Sequence, residues 1–68
     1  MYWAHAVNVR TEEATARPFD SAELAARNLS LLLRMDGWLT DDNTTVARLI
    51  GGETITHKNF SYRVSDTP

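Results

Sequence analysis

Cysteine is absent from the 68-residue sequence. That removes disulfide staples, thiolate nucleophiles and every zinc or iron–sulfur site built on cysteine, and it suits a reducing compartment. Long apolar runs are missing too. Nothing approaches the roughly 18 residues of a membrane-spanning helix, and Met1-Tyr2-Trp3-Ala4-His5 has neither the basic nor the apolar region of a secretory signal. A soluble, cytoplasmic protein is the expectation, with the Asn-x-Ser/Thr triplets at Asn28, Asn43 and Asn59 as chance matches. Charge of one sign is also scarce. A formal net charge of −2 disfavours a sequence-independent grip on a phosphate backbone, because that grip comes from counterions released by a basic surface.

What is present is an ordinary globular composition, 43% hydrophobic and 24% charged. A chain this short buries only about 60% of its unfolded surface, so a single domain of modest stability over residues 1–68 is expected. Residues 65–68 read as a frayed tail.

From Tyr2 to Thr11 the chain alternates. Trp3, His5, Val7 and Val9 share one parity, and Tyr2, Ala4, Ala6, Asn8 and Arg10 share the other. Such alternation marks a strand, and the small Ala4 and Ala6 leave room for a helix over their face. Residues 12–19 read as a loop with a short edge strand at Ala14–Arg17, since Pro18 is tolerated only at an edge. "FDSAELAARNLSLLLRMDG" predicts a helix over residues 21–36: Asp20 caps it, Glu23 completes a capping box, Phe19 staples against Leu24, and Gly37 stops it.

On a helical wheel this segment has a narrow polar stripe, Glu23, Arg27, Ser30 and Arg34, and is apolar almost everywhere else. A helix resting on one small sheet needs an apolar arc of only a little over ~100°. The excess is covered either by loops and strands of the same chain or by a partner.

"NTTVARLIGG", residues 43–52, supports two readings. Thr40 as a cap, Asp41 and Asp42 in a first turn, the spacing of Val46, Leu49 and Ile50, and a stop at Gly51 would make a helix. The β-branched Thr44, Thr45, Val46 and Ile50 favour a strand turning at Gly51-Gly52 in a bulged hairpin, and the strand is the reading adopted. "NFSYRV" alternates as a last strand. The expected fold is therefore α+β, one long helix packed on an antiparallel sheet of three to four strands in the order β-α-β-β.

No catalytic motif is visible. "IGGE" lacks both glycine-rich phosphate-loop spacings. His5 and His57 lack a metal-ligand spacing, although neighbouring first and last strands would bring them close. The expectation is a protein with no enzymatic activity, cofactor or metal. "KNFSYRV", residues 58–64, resembles a worn third-strand signature of RNA-recognition-motif domains, with Lys58, Phe60 and Tyr62 matching in type while Asn59, Arg63 and Ser65 depart from it. The resemblance implies sheet-face binding of RNA or single-stranded DNA.

The leading functional expectation is binding to another protein. Trp3, Trp38, Phe60 and Tyr62 are many large residues for so short a chain, and with Arg27, Leu31, Arg34, Arg48 and Arg63 they supply the residue types that anchor protein interfaces. A free sheet edge would add a site for strand addition. A short chain that starts at Met1 and lacks catalytic motifs fits the pattern of inhibitors encoded by phage and other mobile elements, which block host complexes sterically, anti-CRISPR proteins among them. A homodimeric structural or regulatory subunit is the rival expectation.

Overall fold

The computed structural model describes all of residues 1–68. The elements are β1 (Tyr2–Asn8), β2 (Ala14–Phe19), α1 (Ala22–Met35), α2 (Asp42–Ile50), β3 (Ile55–His57) and β4 (Phe60–Ser65). The strands form one antiparallel sheet in the order β2-β1-β4-β3. The α+β class and the antiparallel sheet stand, but two helices replace the one expected. The β-α-β-β order does not stand: two strands precede α1, and a second helix occupies residues read as a hairpin arm.

β1 and β4 lie side by side at the centre, with Ala4 opposite Val64 and Ala6 opposite Tyr62. Both helices pack on the face that carries these residues. Ala4, Tyr62 and Ile55 of the sheet join Ala25, Ala26, Leu29 and Leu33 of α1 and Val46 and Leu49 of α2 in one core. Ala4 and Ala6 leave the space that α1 occupies, as their size predicts. Leu29, Leu33 and Leu49 are essentially inaccessible to water, and burying each contributes about 1.5–3 kcal/mol.

α1 starts one residue later than expected. Ser21, in extended conformation, is the N-cap and its hydroxyl accepts from the Leu24 amide at 3.1 Å. With Ser21 as the cap, Glu23 is the second helical residue rather than the third and sits one position too early for a capping box, and Leu24 is half exposed. The stop at Gly37 is as expected: with φ +91°, it sends its amide to Arg34 O, while Trp38 N reaches Leu33 O. That is a Schellman closure.

α2 is built from the same parts. Asp41 caps it by accepting from the Thr44 amide at 2.9 Å. Gly52, at φ +91°, sends its amide to Leu49 O while Glu53 N reaches Arg48 O, a second Schellman closure. The Gly-Gly pair taken as a hairpin turn is thus a helix stop, with the positive φ at Gly52. The β-branched residues are tolerated because the helix uses them. Thr45 is fully buried, its hydroxyl donating to Asp41 O at 2.9 Å and accepting the Trp38 indole N–H at 2.9 Å.

α1's polar stripe now has a partner. Ser30 Oγ donates to Asp42 Oδ1 at 2.9 Å and Arg34 Nη1 to Asp42 Oδ2 at 2.6 Å, joining the two helices. Glu23 and Arg27 form the expected i,i+4 pair at 3.0 Å. At the sheet margin β2 runs on through Pro18 to Phe19, longer than the expected edge strand. Ser65, placed with the tail in the sequence, closes β4 and pairs with Trp3.

Candidate interaction surface

The two sheet faces have opposite fates. Pairing puts Phe60, Tyr62 and Val64 of β4 on the helix-covered side with Ala4 and Ala6. The other parity, Trp3, His5 and Val7 of β1 with Ser61, Arg63 and Ser65 of β4, forms the face away from the helices. Phe60 and Tyr62 therefore do not present a stacking platform to nucleic acid. Their rings stack on each other, centroids 6.0 Å apart, and Tyr62 is only 5% exposed. Burial, and then the nearby Asp36 carboxylate, push the Tyr62 phenol above its usual range.

One free sheet edge falls where an edge strand was expected and the other is the third strand. They are β3, three residues long, and β2, which carries Arg17 and Pro18. A short strand and a proline- and charge-bearing strand are the usual defences against added strands, so edge pairing is a poor basis for recognition here.

Exposed apolar side chains are spread over Met1, Tyr2, Val9 and Ile50, and three share one side of α1. Leu24 is 50% exposed, Leu31 45% and Met35 76%, followed by Leu39 at 97%. Leu39 does not fold back on the core, whereas its neighbour Trp38 packs against it. Asn28 completes the row, so positions 24, 28, 31 and 35 follow one another at steps of four, three and four, which keeps them on one side of a helix. Asn28 Oδ1 is shielded from solvent and takes no hydrogen bond. An open groove of about 410 Å³ adjoins this row, with Leu32 and Met35 on its helix wall, Ala6, Phe60 and Tyr62 at its base, and Thr15 and Asp36 at its edge. On the opposite flank, Arg27, Ser30, Leu31 and Arg34 border a small cleft of about 60 Å³ shared with Asp42 and Val46 of α2.

The nine candidate contact residues do not form one patch. Leu31 lies on the exposed row, with Arg27 and Arg34 flanking it. Phe60 and Tyr62 form part of the groove. Trp3 and Arg63 are on the opposite sheet face. Trp38 and Arg48 serve the fold: the half-buried indole holds Thr45, meets His57 edge-on at 5.4 Å, and lies under the Arg48 guanidinium at 5.8 Å. Arg48 is itself paired with Glu53, whose carboxyl the guanidinium holds below the usual range. Sequence reasoning passed over Leu24, Asn28 and Met35, although their four-three-four spacing was legible.

The histidines are kept apart. His5 is nearly buried on the outer sheet face, and His57 is on β3, whose Nε2 donates to Asp36 O at 2.9 Å at the end of α1. No group of three potential ligands is placed to hold a metal ion. His5 Nε2 lies 2.7 Å from Ser65 Oγ and 2.9 Å from Thr67 O. Ser65 Oγ also donates to Thr67 O at 2.6 Å. A carbonyl only accepts, so this triangle closes when Nε2 carries its proton and donates. In that state the ring is no base for the serine, and the trio clasps the tail to the sheet. No helix is long and apolar enough to cross a membrane. No protein-family model matches the chain, and neither does any curated protein or solved structure.

Proposed function

We propose that this protein is a non-catalytic binding protein whose contact surface is the outer face of α1 together with the adjoining groove. The observation that carries this reading is the exposure of Leu24, Leu31 and Met35 along one side of α1, with Asn28 between the first two, on a helix whose other faces are already engaged by the sheet and by α2. Isolated apolar side chains on a surface are ordinary, but several on one helix face beside an apolar groove are a mark of recognition. The activity proposed is steric inhibition of a larger assembly, by covering the surface that α1 contacts.

The test places a photo-crosslinking amino acid at position 31 and, as a control, at the exposed Arg10 in the loop after β1, in the protein's natural setting. Adducts from position 31 and none from position 10 support the reading. No adduct at position 31 with any chain, this one included, refutes it.

A further inference from the structure

The groove that adjoins α1 has the size of a ligand site. It holds about 410 Å³, and small-molecule sites run from about 300 to 1,000 Å³. Its walls are mostly apolar, with Leu32 and Met35 on the helix side and the stacked rings of Phe60 and Tyr62 at the base. Three polar groups interrupt this lining. The Thr15 hydroxyl is turned to Ala6 O, at 3.5 Å. The other two are open.

The first is the Tyr62 phenol. Tyr62 is only 5% exposed, and its hydroxyl makes no hydrogen bond within the protein, yet that oxygen is not sealed as Asn28 Oδ1 is. The small cleft on the far flank does not touch Tyr62, so the open side of the phenol faces the groove. Buried hydroxyls as a rule have a partner. Burial, and then the charge of Asp36, raise the pKa of this one, so it stays protonated at neutral pH and its oxygen can accept as well as donate.

The second is Asp36, the one charged residue in the lining. Lys58 Nζ stands 3.8 Å from its Oδ1, beyond the length of about 2.7–2.9 Å for a charge-assisted hydrogen bond. Both side chains are well exposed, 60% and 40%, and a pairing of that kind is weak. Oδ2 has no cation at all. Asp36 also caps the C-terminus of α1, where the last carbonyls add negative potential.

We propose that the groove binds a small amphipathic amine, its apolar or aromatic body against Leu32, Met35 and Phe60 and its primary ammonium donating to the Asp36 carboxylate and the Tyr62 oxygen. Charge selects this class. An anionic ligand would meet Asp36 and the negative end of α1, and a purely apolar one would cover the phenol and the carboxylate without answering either. An ammonium has three N–H donors, one for each group and one for water at the open side. The inference rests on the reading of the groove as part of the contact surface and names a ligand class for it. Leu24 and Leu31 play no part. Because the groove is open, a Kd of about 0.1–1 mM is expected for a ligand of some ten heavy atoms.

Three probes of one shape separate the contributions: phenylpropylammonium, phenylpropanol and phenylpropanoate. Each is titrated into isotope-labelled protein at neutral pH, up to about 10 mM, and followed by amide and methyl chemical shifts. The ammonium should saturate shifts at Ala6, Thr15, Met35 and Phe60 about tenfold more tightly than the alcohol, with the carboxylate weakest. Asp36→Asn should bring the ammonium to the affinity of the alcohol and leave the alcohol unchanged. Tyr62→Phe should weaken the ammonium about threefold to tenfold. Both exchanges keep shape, circular dichroism checks their folds, and the comparison of probes on the wild type needs neither.

No saturable shift with the ammonium, shifts that fall outside the groove, or an ammonium that binds no more tightly than the alcohol overturns the inference. An unchanged ammonium affinity in folded Asp36→Asn or Tyr62→Phe overturns it as well. If the amine fails while position 31 cross-links to another chain, this inference alone falls. If the amine binds while position 31 gives no adduct, the groove stands as a ligand site without the macromolecular partner.

Discussion

Replacing Thr45 by valine tests the helix that the residue types argued against. The exchange keeps shape and β-branching and removes one hydroxyl. In the native protein that hydroxyl accepts the Trp38 indole N–H and donates to Asp41 O, the carbonyl one turn earlier, each at 2.9 Å. Asp41 O keeps its other partner, the Thr45 amide at 3.0 Å. The indole N–H has no such reserve and is left half-buried without an acceptor, a loss of about 1–3 kcal/mol. For a domain of this length each kcal/mol moves the Tm by about 4–8 °C, and the whole stability is about 3–10 kcal/mol. Thr45→Ser is the control, because it keeps both hydrogen bonds and loses one methyl, about 1 kcal/mol. Urea unfolding followed by Trp fluorescence and circular dichroism should show a lower midpoint for Thr45→Val than for Thr45→Ser, with unchanged m. A valine variant as stable as the wild type, or more stable than the serine variant, refutes the placement of Trp38 on α2.

Other outcomes follow from the same contacts. The Thr44 amide, and then its hydroxyl, hold the Asp41 carboxyl below its ordinary range, and Arg48 does the same for Glu53. Both groups stabilise the fold above their unfolded pKa values of about 4, and that contribution is lost as pH falls through their lower folded values. The urea midpoint should drop between about pH 5 and pH 2, less steeply in Asp41→Asn, and an equal slope in that variant would remove Asp41 from the account. Tyr62 has the opposite sign: with its phenol raised, the unfolded chain ionises first, so stability should decline as pH climbs past about 10. Tyr62→Phe should lose that part of the alkaline decline, as read from melts at pH 9 and above. Glu12 adopts φ +64° in the turn after β1, a left-handed conformation that costs about 1–2 kcal/mol in a side chain without asparagine's local hydrogen bonding. Glu12→Asn should raise the Tm by several degrees, and a lower Tm would show that the Glu12 side chain makes a contact worth more than the strain.

α1 was legible because its signals are local: a glycine where the chain must turn left-handed and an i,i+4 ion pair, although its cap is Ser21 and not the Asp20 expected. β1 and β4 were legible from alternation, and the small pair Ala4 and Ala6 named the face that a helix would cover. Residues 42–50 were misread because the intrinsic preference of Thr44, Thr45, Val46 and Ile50 was weighed without tertiary contacts. The partner that makes Thr45 useful in a helix, Trp38, could not be seen from composition. The second glycine was the missed signal, since Gly52 does for α2 what Gly37 does for α1. As for the surface, Phe60 and Tyr62 were placed on a common face correctly, but their exposure depended on which side the helices took. The row on α1 was in plain view as a spacing, hidden only by attention to large aromatic residues over aliphatic ones.

The strand order β2-β1-β4-β3 has a kinetic meaning. The central pairing joins residues 3–8 to residues 60–65, so the middle of the sheet exists only once residues 60–65 have been made. α1 and the β1–β2 hairpin can form early from local contacts, but they must wait, with the core face open, for β4 to close between β1 and β3. A chain leaving the ribosome at about 5–20 residues per second therefore spends seconds as an unfinished half-sheet, exposed to chaperones and proteases, and completes its fold in one late step. A pairing of such long range should make that step slow for a protein of this size.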